Sequence, residues 1–315
     1  MIEAGLAVSA SRCGRRDRDI AHCHFNRPEE NLMIDALEVM RWPLAACLLL
    51  PGLLVYLGLH IVRREIIFVD LALAQVAALG ACLGILLHYD AATWQSYCLS
   101  LGFTLIGAAI FTLTRTSHHR VPQEALIGIV YVVAAALGIL LSSRSAEGNE
   151  ELRRTLIGDV LLVSPQQVLR TFALYLLLGA AHFAFRRQFF AISFEPEGAA
   201  AQKLAIRGWD FLFYAIFGWV VTSFVQIGGV LLVFSYLIVP AVCANFLTTS
   251  LPRMLALGWI VATVASLLGL YGSYQLDLPT GAAVVCALAA ELILVIAISA
   301  IRGRRVAAHP ERVGL

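Results

Sequence analysis

Residues 193–214 read SFEPEGAAAQKLAIRGWDFLFY. The stretch is too polar to lie in hydrocarbon, yet long apolar runs flank it on both sides. Pro196 suits the first turn of a short helix, and Glu195 and Glu197 suit the positive end of its dipole. Ala199 to Leu204 continue that helix and Gly208 ends it. Two readings are open for such a segment: an interfacial connector between spans, or a coupling helix that docks on a soluble motor. The choice depends on what the neighbouring apolar runs are.

Those runs fill most of the chain. Of its 315 residues 60% are hydrophobic and 14% are charged, whereas a soluble domain is about 45–50% apolar and about 25% charged. A spanning helix needs roughly 20 apolar residues. On that basis spans are predicted near 42–62, 66–88, 92–114, 122–142, 166–186, 211–227, 229–247, 253–274 and 280–301. The fold class is therefore an all-α polytopic transmembrane helix bundle of about nine spans. The sixth and seventh spans form one apolar block, broken only at Gln226–Gly229, where a glycine pair marks a bend or a re-entrant turn. Positive charge sets the orientation. Arg63, Arg64, Arg115, Arg120, Arg186, Arg187, Lys203, Arg207 and Arg253 fall between spans, and Arg302, Arg304 and Arg305 after the last, all on one side, predicted to be the cytoplasm. The loop at 143–165 dissents with Arg144, Arg153 and Arg154, partly balanced by acids.

Several chemistries are excluded. A Walker A motif needs Gly-Lys-Ser/Thr, and the only lysine, Lys203, lies in QKL. No HExxH or GxSxG occurs, and the eight histidines are scattered. Basic repeats and aromatic platforms of the kind that bind nucleic acid are missing. The seven cysteines (Cys13, Cys23, Cys47, Cys82, Cys98, Cys243 and Cys286) form no CxxC, and most sit in apolar runs as small hydrophobes. Residues 1–32 are polar and have no apolar core of a signal peptide. His22, Cys23 and His24 sit there, but the segment reads as sequence upstream of a true start at Met33. What remains is transport, or a structural membrane subunit.

The stretch at 193–214 resembles the coupling segment of the metal-type ABC permeases, the membrane subunits of zinc and manganese importers. That family reads Ser-Phe-Asp-Pro-Glu, a short Ala-rich helix, then Gly. FVQIGGVLLVFSYLIVPAVCANFL (224–247), GLYGSYQLDLPTGAAVV (269–285), PQEALIGIVY (122–131) and LIGDVLLVSPQQVL (156–169) also resemble family blocks, in order, so the likeness covers about residues 40–300. It implies a fold similar to that of the cobalamin and siderophore importers. It implies a membrane permease subunit with no ATPase of its own, moving zinc or manganese, or iron, into the cytoplasm. The expected partners are a separate ABC ATPase that binds ATP, an extracytoplasmic metal-binding protein and a second copy of the permease. The chain itself is expected to hold no cofactor and to lie in the inner membrane. Residues 1–40 are then a polar extension, 41–302 the permease domain with its coupling segment at 188–210, and 303–315 a cytoplasmic tail. Phe194, Glu195, Pro196, Glu197, Gln202 and Gly208 are the expected ATPase-coupling residues.

The second span departs from the family. Its usual Phe-Leu-Gly-Asp-Ala-Leu-Ser-His-Ala places an Asp and a His four apart on one helix face, a ligand pair suited to zinc or manganese. Here the span reads IIFVDLALAQVAALG (66–80): Gln75 takes the His position, Leu71 the Asp position, and Asp70 falls one residue early. Asp70 and Gln75 do not share a face, and Gln is a poor zinc ligand. Asp70 is expected either to pair with Arg63 or Arg64, or to cap a helix; Gln75 either to bond a neighbouring helix or, with Asp70, to line a cation path. Glu291, alone in the last span, is a further path candidate. Asn245 and Gln226 read as interhelical hydrogen-bonding groups, Glu124 as a cap of its own helix, and His60 and His182 as interfacial. Two alternatives stay open: a cation-coupled secondary transporter, which would show an inverted repeat, and a cobalamin or siderophore permease.

Overall fold

The structure, a computed structural model, describes residues 29–90, 93–115, 122–144, 155–158, 160–194 and 205–308. The chain divides into two units, residues 1–41 and 42–315. In the first, residues 29–41 are helical, so the polar extension is not wholly irregular. His22, Cys23 and His24 lie outside the described residues. The second unit contains the bundle.

The described residues include nine α-helices: α1 (Glu29–Arg63), α2 (Val69–Leu86), α3 (Trp94–Thr114), α4 (Gln123–Ser142), α5 (Pro165–Ala184), α6 (Arg186–Phe194), α7 (Ile206–Leu247), α8 (Leu251–Leu276) and α9 (Thr280–Ala308), with helical residues at 155–157 and a 3-10 turn at Val160–Leu162 ahead of α5. Eight of them, all but α6, contain a stretch long and apolar enough to cross a membrane. Their ends carry local signals. Thr93 accepts from Ser96 N at the start of α3. At α5, Ser164 and Gln167 bond each other's backbone N–H in a capping box, with Pro165 at the first helical position.

α7 decides the topology. Its 42 residues would be about 63 Å long if straight, at ~1.5 Å per residue, roughly twice the ~30 Å of a bilayer core. It is not straight. Gly229 has φ 71° and ψ 165°, outside helical geometry. One turn into α7, Asp210 bonds Arg64, just beyond α1. Near its far end, Ala241 and Ala244 pack with Leu59 of α1 and Met254 of α8. Both ends of α7 thus return to the Arg64 end of α1, and the helix folds back at Gly229. Going toward the fold, Thr222 meets Thr104 of α3 (Oγ1 to Oγ1, 2.9 Å) and Ser223 meets the Tyr97 hydroxyl (2.7 Å). On the return arm the Tyr236 hydroxyl reaches Ser266 of α8 at 2.6 Å.

Glycine makes the fold possible. A Cβ built on Gly229 would lie 2.3 Å from Gly158 N, and one on Gly158 would lie 2.2 Å from Gly228 C. Backbone touches backbone there, and both residues have positive φ. Around this axis α2 packs on α3, α4 and α7, while α9 packs on α7 and α8.

Candidate functional site

The polar residues at the Arg64 end form a connected network. Arg64, in the turn after α1, donates from Nη1 to Asp210 Oδ1 (2.9 Å) and from Nε to Ser193 Oγ (2.8 Å). Its guanidinium lies 3.9 Å from the centre of the Phe213 ring, close enough for a cation–π contact. Asp210 is fully buried, and its other oxygen accepts from Arg115 Nη1 at the end of α3. His60 Nδ1 sits 2.9 Å from the same Ser193 oxygen. A single buried guanidinium therefore ties together α1, α6 and α7, and the shared carboxylate adds α3.

Aromatic rings surround this network. Phe194, the last residue of α6, stacks on Phe190 with centroids 5.3 Å apart and meets His60 edge-on at 5.4 Å. His182 packs against Phe189 and Tyr56. His60 and His182, in the last turns of α1 and α5, are 1% and 2% exposed, buried among these rings. Aromatic residues flanking them in the sequence, four of which fall in Phe183–Phe190, were a visible sign of such a cage.

Ser193 and Asp210 stand on either side of residues 195–204. Of the expected coupling residues, Glu195, Pro196, Glu197 and Gln202 lie outside the described residues. Phe194 and Gly208 are described. Gly208 does not end a helix: it lies in the first turn of α7, which starts at Ile206.

The other predicted residues are placed separately. Asp70 sits in the first turn of α2, 2% exposed, and its Oδ1 accepts from Leu71 N at 2.7 Å. Arg64, one of its two expected arginine partners, is bonded to Asp210. Gln75 is 5% exposed, so it points into the bundle. Glu291 is half-buried on α9, and neither of its carboxylate oxygens has a hydrogen-bond partner among the described residues. No three residues of the His, Cys, Asp and Glu types converge on a common point among the described residues. Asn245 bonds Ala241 O on its own helix and Gln226 is exposed, so neither shows the interhelical bond expected of it. Glu124 accepts from Ile67 N, ahead of α2, at 3.1 Å, and so serves the neighbouring helix's start.

Residues 36–300 match the ABC 3 transport family. The chain belongs to that family. It is 32% identical over 197 residues to the manganese transport system membrane protein MntC of Listeria innocua, covering 60% of this chain and 70% of the relative. It is 26% identical over 255 residues to the membrane protein slr2045 of Synechocystis, covering 80% and 89%. Its fold is shared with the PsaBC structure from Streptococcus pneumoniae, with a TM-score of 0.70 at 22% identity over 83% of this chain and 93% of that one. An inward-facing ABC transporter described as metal-chelate type gives 0.61 at 19% identity over 81% and 84%. As an ABC 3 member the chain is a membrane permease subunit of a metal-type ABC importer, with no ATPase activity of its own. The partner that hydrolyses ATP is a separate chain.

Proposed function

We propose that this permease carries a divalent transition metal, manganese foremost, and that the Arg64 network transmits the ATPase stroke to the bundle. The observation that carries the second part is that one guanidinium holds both Ser193 and Asp210. An ATPase docked on residues 193–208 would move a segment whose two flanks are both bonded to Arg64 beside α1, one of them also to Arg115 at the end of α3. A displacement there could not be absorbed locally and would shift whole helices, a rigid-body response of the kind packed interfaces give. Manganese is supported by the names of the Listeria relatives. Zinc and iron are the competing cargoes.

In this reading the bundle crosses the membrane nine times, α7 supplying two crossings that meet at Gly229. The arginine-lined end is cytoplasmic, in keeping with the fold-back of α7 and the placement of Arg63, Arg64, Arg115 and Arg186. Asp70, Gln75 and Glu291 are polar stations of the path rather than a tight site. Weak ligands suit a conduit, because tight binding slows release. Two permeases pair, two ATPases bind beneath them and an extracytoplasmic protein delivers metal, in an arrangement like that of the cobalamin and siderophore importers. Residues 1–40 and 303–315 flank the permease domain. The test is uptake of Mn²⁺ by proteoliposomes holding permease and ATPase, with Zn²⁺ and Fe²⁺ as competitors. Preferred uptake of Zn²⁺ with Mn²⁺ excluded would overturn the cargo assignment.

A further inference from the structure

A groove of about 490 Å³ opens between α1, α5, α6 and α8, sharing Tyr56, His182 and Phe190 with the aromatic cage around the Arg64 network. Its walls are apolar and aromatic, among them Gly52, Tyr175, Gly179 and Trp259. Gly179 leaves its stretch of wall open, since nothing lies within 4 Å of a Cβ built on it. Trp259 is 53% exposed. Arg186 is the one charged lining residue. Its guanidinium lies 4.1 Å from the Phe183 ring centre, and it has no carboxylate partner among the described residues.

The dimensions and the charge define the occupant. From Tyr175 to Ala184, the end of α5, the wall runs about 14 Å at ~1.5 Å per residue, close to half the ~30 Å hydrocarbon core and so one leaflet. Three of its four helices, α1, α5 and α8, are long and apolar enough to span the membrane, where the surrounding medium is acyl chain. A neutral lipid would fill the apolar part but leave the unpaired cation at its rim unanswered. A phosphate without an acyl chain would answer Arg186 and leave the apolar walls bare. We propose that this groove binds an anionic phospholipid of the leaflet at the arginine-lined end, one acyl chain lying along Gly179 and Tyr175 and the headgroup phosphate on Arg186. The site touches α6 through Phe190, which stacks on Phe194. A bound lipid therefore sits against the helix that leads into the coupling segment.

Trp259 serves as the reporter. The whole chain, with its ATPase, is reconstituted into symmetric vesicles containing brominated phosphatidylglycerol or brominated phosphatidylcholine. The Trp259 signal is the difference in fluorescence quenching between the native chain and Trp259→Phe. Symmetric vesicles make the result independent of which face is cytoplasmic and of the metal carried. Half-quenching is expected at about fivefold lower mole fraction of the anionic lipid, the effect of one arginine near an anionic surface. Arg186→Gln brings the two lipids together, and Gly179→Phe, which fills the groove, removes quenching by both. Equal quenching by the two lipids in the native chain, or an anionic preference that survives Arg186→Gln, overturns the proposal. Failure of either lipid to reach Trp259 also overturns it, and is the result if a second copy of the chain covers the groove.

Discussion

Replacing Asp210 with Asn keeps the shape of the side chain and removes its charge. Asp210 is fully buried, and its side chain meets Arg64, whose own side chain is 4% exposed. Arg115 is 31% exposed and has water to fall back on, so losing that pair costs little. The Arg64 pair is different. Breaking a buried pair by removing one partner costs about 3–5 kcal/mol, because the other charge stays buried and uncompensated. The expected result is a clear fall in the melting temperature of the purified permease, and a loss of ATP-driven uptake larger than the loss of folded protein. Arg64→Gln combined with Asp210→Asn removes both charges, and it should melt above Asp210→Asn alone. That non-additivity is what distinguishes a coupled pair from two independent losses. Unchanged melting and uptake in Asp210→Asn would refute the reasoning. So would a double variant whose losses are the simple sum of the single ones.

Further outcomes follow from the same geometry. Gly229→Ala should cost folded permease, measured as membrane abundance and melting temperature. A Cβ there meets backbone at 2.3 Å, in a conformation that alone costs an L residue about 1–3 kcal/mol. Glu195→Arg with Glu197→Arg should abolish ATP-driven uptake while the permease keeps its elution position on size exclusion. Gln75→Leu should impair uptake more than abundance, and Gln75→His should retain uptake. If Gln75→Leu only lowers abundance, packing explains the residue.

Much of the architecture is legible in the sequence. Long apolar runs give the spans because backbone in hydrocarbon must satisfy itself within a helix. The Gly228–Gly229 pair marks the fold of α7, since a reversal there demands a residue that tolerates positive φ. The order of the sequence blocks carries the family resemblance, and the family match over residues 36–300 agrees with it. The Arg64 network is another matter. Arg64 and Asp210 stand 146 positions apart, Arg115 and Asp210 95 apart. Read along the chain, those arginines carry only topological information, and which acid they meet depends on how α7 folds back. Glu124 shows the same limit. A first-turn acid reads as a cap for its own helix, but the turn ahead of α2 brings Ile67 N to it first. His60 and His182 sit near helix ends by position; the run of aromatic residues beside His182 hints at a cage, but which rings close on each histidine is set by packing between distant helices.

The most direct test of the central claim is radiolabelled Mn²⁺ uptake by proteoliposomes, with the permease alone or with its ATPase, each with and without ATP and with no ion gradient imposed. Uptake is expected only where permease, ATPase and ATP are all present, and it should disappear in the Glu195→Arg, Glu197→Arg variant. Accumulation of Mn²⁺ by the permease alone, or without ATP, would contradict the account.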